Sequence, residues 1–342
     1  ADRKITLDLT EAALRWLAVD PSSAQALNET DRLAERLDQW PMVAARVTEI
    51  TRAPDARDRD PEVQVLLLNF LGRIQRKRLG QLPEAAASYR AALALEPTSL
   101  LAIDDLIKIL RQQGDAPGLA EVLRQRGRAV TELPEKRQAF AEVAQISDRA
   151  GDRDGAIAAW NEYLDADDSD REALTELAHL YRARGDKAAL IDTLQRAARL
   201  GGSADDEKKL RVEIAQLEAD TPRAVQAWQA VLDLDGEDLA ALVSLEQAYA
   251  KAGDWHAVSD TQNRRLALAK SNWDRVAIHA EIAKTAELQR GSIDDAIAAW
   301  FGALDVDASH MPAYENLERL LTSGARWHDL VELLERLAEL QA

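Results

Sequence analysis

The chain has 342 residues, of which 46% are hydrophobic and 30% are charged, and its 60 acidic against 43 basic residues give a net charge of −17. This apolar content can form a large core and excludes global disorder, while the lack of cysteine excludes disulfide bonds, thiol catalysis and zinc held by cysteine. The acidic excess argues against binding of nucleic acid or of an anionic membrane, because both require cations opposite phosphates. The 10 prolines and 15 glycines are too few for a β-sandwich with its frequent turns.

Internal repetition is the strongest feature of the sequence. Four segments align with one another, residues 84–114, 155–185, 224–253 and 295–324, and a weaker copy covers residues 12–36. A leucine precedes the acidic turn of each copy and recurs as Leu17, Leu93, Leu164, Leu232 and Leu304. Such fixed spacing is typical of architectures in which one unit of secondary structure is stacked many times.

Each copy contains two helical segments, and the interval to the next copy leaves room for two more. After Gly185, residues 187–200 and 205–219 both place apolar residues at helical spacing, as Leu190, Leu194 and Ala197 do in the first. The repeating unit is therefore a helical hairpin of about 34 residues, with strong and weak hairpins alternating. About ten hairpins fit the chain, and no segment is predicted to form a strand.

Glycine followed by aspartate marks one type of turn between helices. Glycine takes the left-handed conformation that ends a helix, and the aspartate side chain accepts the first free N–H groups of the next helix. The sequence predicts this arrangement at Gly114-Asp115, Gly151-Asp152, Gly185-Asp186 and Gly253-Asp254.

These hairpins resemble the tetratricopeptide repeat. The resemblance lies in Ala85, Tyr89, Ala92, Leu93 and Pro97 of one helix and turn, and a partner helix is similar to Leu174, Leu177, Ala178, Tyr181 and Gly185. It covers nearly the whole chain in degenerate form. It implies an all-α fold: a right-handed superhelical α-solenoid of about ten stacked hairpins, forming one continuous domain over residues 1–342.

Large aromatic residues recur at equivalent places in the strong hairpins, and they have two interpretations. They could form an aromatic ladder for a ligand, or they could pack between helices, each burying about 150–250 Å². We favour packing for Tyr89, Trp160, Trp228 and Trp300. We also expect Trp40, Trp255 and Trp327 to act as wedges between adjacent hairpins.

The resemblance also implies which side chains face a partner, since the first helix of each tetratricopeptide hairpin lines the concave surface. By position, the expected partner-binding residues are polar or basic: Asp104, Lys108, Arg111, Thr175, His179, Arg182, Gln247, Lys251, Glu315 and Arg319, with Val243 and Thr322 beside them. The favoured function is a non-catalytic scaffold that binds a protein or peptide along this face. The alternative is a structural element that self-associates through its ends or its lateral surface.

No motif predicts catalysis, a metal or a cofactor. The acidic run at residues 165–172 lacks the glycine that a calcium loop requires and has Asp170 in its place. The five histidines lie in different repeats, and no nucleotide-binding or nucleophile motif is present. The basic cluster Arg73, Arg76, Lys77 and Arg78 closes an apolar helix, where cations are favoured. A site for an acidic partner is the alternative there.

The ends of the sequence resemble interrupted repeats. The chain opens with Ile5, Leu7 and Leu9 and closes soon after Leu334 and Leu337, without a polar capping helix. We therefore expect a fragment of a longer repeat protein, or a homo-oligomer formed through uncapped ends. The sequence leaves the compartment open, with a soluble cytoplasmic location favoured, and contains no run of apolar residues long enough for membrane insertion.

Overall fold

The computed structural model of the chain describes residues 2–20, 22–54, 56 and 59–341, apart from the side chains of residues 2–7 and 341. The side chains of Ile5 and Leu7 therefore lie outside the described residues. Nineteen α-helices and no strand occur in the described residues, and none of these helices is long and apolar enough to cross a membrane. The all-α class is confirmed.

The chain divides into two compact units, residues 1–185 and residues 186–342. The first unit contains ten helices: α1 (Asp2–Val19), α2 (Ala24–Leu37), α3 (Trp40–Arg52), α4 (Pro61–Lys77), α5 (Leu82–Leu95), α6 (Leu100–Gln113), α7 (Ala116–Ala129), α8 (Leu133–Arg149), α9 (Arg153–Leu164) and α10 (Arg171–Arg184).

The second unit contains nine helices: α11 (Lys187–Arg199), α12 (Ala204–Leu217), α13 (Ala224–Leu232), α14 (Leu239–Ala252), α15 (Trp255–Leu268), α16 (Asn272–Lys284), α17 (Ile293–Val306), α18 (Met311–Ser323) and α19 (Trp327–Gln341). A short π-helical segment, Thr285–Gln289, follows α16 directly. Nineteen helices make nine pairs and one more helix, close to the predicted ten hairpins. One solenoid running through both units stays a prediction.

Within each unit, helices pack against their neighbours in the chain. The extensive contacts in the described residues join consecutive helices or, as between α1 and α3 or α4 and α6, helices two apart. A hairpin has two apolar faces and cannot cover both by itself, so it must stack on the next hairpin. The predicted stack of helical hairpins is thus confirmed within each unit.

The predicted glycine–aspartate turns are also confirmed. Gly114, Gly151, Gly185 and Gly253 have φ angles of 70–79°, the left-handed region that glycine enters without cost. At each turn, the next aspartate accepts a hydrogen bond of 2.9–3.1 Å from the N–H three residues further on: Asp115 from Gly118, Asp152 from Gly155, Asp186 from Ala189 and Asp254 from Ala257. Each turn therefore ends one helix and caps the next.

The recurring aromatic residues are core residues, as predicted from packing. Tyr89, Trp160, Trp228 and Trp300 are all at most 7% exposed, and Trp40 is 4% exposed. Trp327 differs: it begins α19 and is 60% exposed. Its interpretation as a wedge between hairpins is wrong, because its ring is not enclosed by neighbouring helices.

A buried polar network joins three consecutive helices of the first unit. The carboxylate of Asp105 on α6 accepts hydrogen bonds from the Tyr89 hydroxyl at 2.9 Å, from Lys108 at 2.8 Å and from Arg76 on α4 at 3.2 Å. Burial alone would raise the pKa of Asp105, but the hydrogen bonds from Lys108 and Tyr89 and the charge of Arg76 outweigh it and lower the pKa. The ionised carboxylate therefore stabilises the packing of α4, α5 and α6.

Replacing this carboxylate should make stability less dependent on pH. Asp105→Asn is expected to lower the free energy of unfolding by about 2 kcal/mol at neutral pH, because buried hydrogen bonds to a charged group contribute about 1.5–3 kcal/mol. Since the folded-state pKa of Asp105 is depressed, its contribution is present above the unfolded value of about 4 and is lost as the pH falls through the folded value. Urea titrations at a series of pH values should show the two proteins converging in acid.

A matched control is Glu121→Gln, which removes an exposed acid from α7 and should leave stability unchanged at every pH. The account of the Asp105 network fails if the difference between the native protein and Asp105→Asn stays constant from neutral pH into acid.

Candidate functional site

Three helices of the first unit, α6, α8 and α10, carry the strongest candidate for a binding surface. The position of α8 is fixed by its buried face, which includes Phe140 and Val143. The Phe140 ring lies against Gly127 of α7, where a Cβ atom would approach it to 2.7 Å. This close contact between α7 and α8 turns the other face of α8, with Gln138 and Gln145, away from the core.

The largest cavity of this surface lies between α8 and α10 and has a volume of about 520 Å³. Gln138, Ala141 and Gln145 of α8 form one wall, and His179 of α10 lies on the other. The indole of Trp160 also lines the cavity, although it is only 6% exposed. The cavity is wide enough for a side chain and combines an apolar patch with polar walls.

Two further cavities extend this surface towards α6. One of about 450 Å³ is lined by Gln138, Gln145 and Glu142 of α8 and by Arg111 of α6, and one of about 230 Å³ by Gln138, Arg111 and other residues of α6–α8. Gln138 lines all three cavities. We call the three together the α6–α8–α10 groove.

The charged residues predicted on α6 already have partners in the chain. Arg111 donates two hydrogen bonds to Glu142 of α8, at 2.8 and 2.6 Å. Asp104 accepts from Arg126 of α7 at 2.9 Å, and Lys108 pairs with Asp105 as described above. The groove therefore contains Asp104, Lys108 and Arg111 as predicted, but their charges are neutralised locally.

Arg137 of α8 joins the groove to the start of α10. Its Nε lies 3.1 Å from Asp170, which caps α10, and its other nitrogen pairs with Glu172. The Tyr163 hydroxyl donates to Asp170 at 2.7 Å, and burial together with this hydrogen bond raises the pKa of Tyr163. Asp170, from the acidic run that resembles a calcium loop, thus acts as a helix cap and ion-pair partner.

The three predicted partner-binding residues of α10 have different surroundings. His179 is exposed and lines the largest cavity. The Thr175 hydroxyl donates to the carbonyl of Arg171 at 2.8 Å, a local hydrogen bond within the helix. Arg182 lies near the end of α10, one turn beyond His179.

In the second unit, the predicted cations also form ion pairs. Lys251 of α14 donates to Asp220 at 2.7 Å, and Arg319 of α18 makes two hydrogen bonds to Glu287 at 2.6 and 2.8 Å. The hydrogen bonds with these cations lower the pKa values of Asp220 and Glu287. The remaining predicted residues of the second unit are Gln247, Glu315 and Thr322, which are exposed, and Val243, which is half-buried.

Three cations of the basic cluster at the end of α4, Arg73, Arg76 and Arg78, are likewise paired within the chain. Arg73 donates to Asp31 of α2 at 2.8 Å, and Arg78 pairs with Glu35 of the same helix. The Arg78 guanidinium also lies over the Trp40 ring, 4.7 Å from its centroid. Arg73 and Arg78 thus contribute to the packing between helices, whereas Lys77 of the cluster is exposed. A site for an acidic partner stays a prediction.

A family model described as tetratricopeptide repeat matches two parts of the chain, residues 67–101 and 173–208. The two matched segments are tetratricopeptide repeats, which confirms the resemblance for these parts of the chain. No curated protein sequence matches the chain significantly.

Solved structures that match the chain include tetratricopeptide-repeat proteins. MamA is 19% identical, over 52% of this chain and 96% of its own, with a TM-score of 0.33. YrrB, described as having an unusual peptide-binding site, is 14% identical over 54% of this chain and 97% of its own, with a TM-score of 0.33. The C-terminal part of a repeat protein from Cytophaga hutchinsonii is 16% identical over 74% and 99%, with a TM-score of 0.35. Similarity at this level does not inform function.

The matched segments also bear on the groove residues of α8, which were not among the predicted partner-binding residues. They make α4 and α10 the first helices of their repeats, and α8 lies between them at an even number of helices from each. The predicted partner-binding residues came from the strong hairpins alone, so they did not include Gln138, Glu142 and Gln145 of α8. Counting helices in pairs along the sequence would have included α8.

The ion pair between Arg111 and Glu142 should couple α6 to α8. In a double-mutant cycle with Arg111→Gln and Glu142→Gln, we expect a coupling free energy of about 0.5–1 kcal/mol, because the pair is partly exposed and charge-assisted, with one Arg111 nitrogen donating to both carboxylate oxygens. Salt screens such pairs, so urea titrations in 1 M NaCl should reduce the coupling.

The control pair is Arg32 and Glu29, which are three residues apart on α2 and both well exposed; its coupling should not exceed about 0.5 kcal/mol. No measurable coupling between Arg111 and Glu142 at low salt would show that this pair does not join the two helices.

Proposed function

We propose that the chain is a non-catalytic scaffold that binds an extended protein or peptide segment in the α6–α8–α10 groove. Tetratricopeptide-repeat proteins generally mediate protein–protein interaction, which supports this class of function. The proposal rests on two exposed glutamine side chains of α8. Gln138 and Gln145 are exposed in the groove, and their amides make no hydrogen bond to any described residue.

The two amides have the spacing that an extended peptide requires. They are seven residues apart on α8, so they lie on one face of the helix, about 10 Å apart along its axis. Three residues of an extended chain cover about the same distance. Each amide offers both a donor and an acceptor, so the pair can hydrogen-bond the backbone of a peptide at two points.

The charges of the groove favour a partner that is not strongly charged. Arg111, Lys108 and Arg137 are neutralised by Glu142, Asp105 and Asp170. A highly charged partner would have to displace these ion pairs. Specificity would therefore come from backbone hydrogen bonds and from side chains that enter the cavities, including the one beside Trp160.

A peptide-display selection tests this function. We expect the chain to enrich peptides that bind the groove, and the double variant Gln138→Ala/Gln145→Ala to weaken their binding about tenfold, because two hydrogen bonds are lost. The matched control is Gln112→Ala/Gln113→Ala, which removes two exposed amides of α6 outside the cavities and should leave the affinity unchanged.

A second function, self-association, is favoured by the exposed apolar residues of α19. Trp327, Val331 and Leu334 are 60%, 53% and 45% exposed, respectively. If no peptide is enriched and light scattering shows a dimer that Val331→Glu dissociates, assembly replaces peptide binding as the function. Peptides that bind the glutamine variant as tightly as the native protein would also contradict the groove proposal.

A further inference from the structure

A cavity in the second unit lies at a turn whose counterparts in other repeats are occupied by the chain's own cations. It has a volume of about 370 Å³ and lies between α16 and the turn from α17 to α18. Trp273, Ala277 and Ala280 line it on one side, and Val306, Asp307 and His310 on the other. The Trp273 indole is 80% exposed, so the ring is accessible to a partner from solvent.

Corresponding turns occur in two other repeats, and each has an acidic residue held in the same way. Asp167 accepts from the N–H of Ser169 at 3.1 Å, Asp235 from that of Glu237 at 3.2 Å, and Asp307 from that of Ser309 at 2.9 Å. One carboxylate oxygen thus stabilises the turn in all three repeats. The second carboxylate oxygen, Oδ2, takes no part in this hydrogen bond.

In the turns that precede α10 and α14, a basic side chain forms ion pairs with the acidic residues. It comes from α8 in the first case and from α12 in the second. Arg137 of α8 pairs with Asp170, three residues after Asp167. Lys208 of α12 pairs with Asp235 at 2.8 Å and with Asp238 at 2.6 Å. In both repeats, a long basic side chain therefore covers the turn.

The third turn lacks this cation. Arg137 is the fifth residue of α8 and Lys208 the fifth residue of α12, whereas the fifth residue of α16 is Val276. His310 stands where the other two turns have Asp170 and Asp238. Val276 and its neighbour Ala277 line the cavity next to Asp307. The Asp307 oxygen Oδ2 accepts no hydrogen bond from any described residue, whereas Oδ2 of Asp235 accepts from Lys208. An apolar residue thus stands where a basic side chain covers the turn in the other two repeats.

We propose that this cavity binds an arginine side chain of a partner protein, which stacks on Trp273 and pairs with Asp307. Arginine fits better than lysine, because its planar guanidinium stacks on an aromatic ring while it hydrogen-bonds a carboxylate. The chain itself uses this chemistry: the Arg78 guanidinium lies 4.7 Å from the centroid of Trp40 and pairs with Glu35. The site lies in the second unit and does not depend on peptide binding in the α6–α8–α10 groove.

Titration of the full chain with a short peptide tests the site. The probe is a blocked glycine pentapeptide with one central arginine, and its control carries citrulline, which has nearly the same shape without the charge. The readout is the NMR signal of the Trp273 indole N–H, assigned by its loss in Trp273→Phe. We expect a saturable shift with the arginine peptide and none with the citrulline peptide.

Two matched variants distinguish a specific site from general attraction of the cationic peptide to an acidic chain. Asp307→Asn should weaken the arginine peptide about two- to fivefold, as expected for loss of one exposed ion pair. Its amide oxygen can still accept from Ser309, so the turn is kept. Asp235→Asn removes the same charge from a turn that Lys208 already covers, and it should leave the affinity unchanged.

Ala277→Arg supplies the missing cation from the chain itself. This variant should abolish the shift of the Trp273 signal by the peptide. The proposal is overturned if the citrulline peptide binds as well as the arginine peptide, if Asp235→Asn weakens binding as much as Asp307→Asn, or if the folded Ala277→Arg variant binds like the native protein.

Discussion

The rest of the structure depends on one constraint: each helical hairpin can bury its apolar faces only against hairpins that are close in sequence. The buried clusters show this directly. One contains residues between Leu14 and Ile74, another residues between Ala215 and Ala248, and a third residues between Val276 and Leu333. Burial of apolar area is the main driving force for folding, and here it acts through a series of local clusters.

A chain of local clusters needs additional contacts to fix one hairpin on the next, and ion pairs supply them. Pairs between residues 31 or 32 apart recur in both units: Arg111 with Glu142, Lys251 with Asp220, Arg319 with Glu287, Arg326 with Asp294, and Arg336 with Asp305. This separation is close to one repeat. Because these pairs use most of the cations predicted to face a partner, the uncharged amides of Gln138 and Gln145 become the more informative groups of the groove.

Features that depend on neighbouring residues could be predicted from the sequence. The turn at Gly114-Asp115 needs only a left-handed glycine and a capping carboxylate, and Trp160 is buried because its helix repeats an apolar pattern. The partner of Arg111 could not be predicted, since it depends on the face that α8 turns towards α6. The cavity beside Ala277 gives no local signal at all, because it is recognised only when three repeats are compared in space.

The local nature of the core can be measured directly by hydrogen exchange. Leu106 of α6 is fully buried, and Leu106→Ala should remove packing from its own hairpin and from the adjacent ones. We expect mass spectrometry to show faster amide exchange in α4–α8 and unchanged exchange in α14–α18, as in other repeat proteins whose stability is a sum over neighbouring repeats. Uniform acceleration of exchange along the whole chain would show a single shared core and contradict this account.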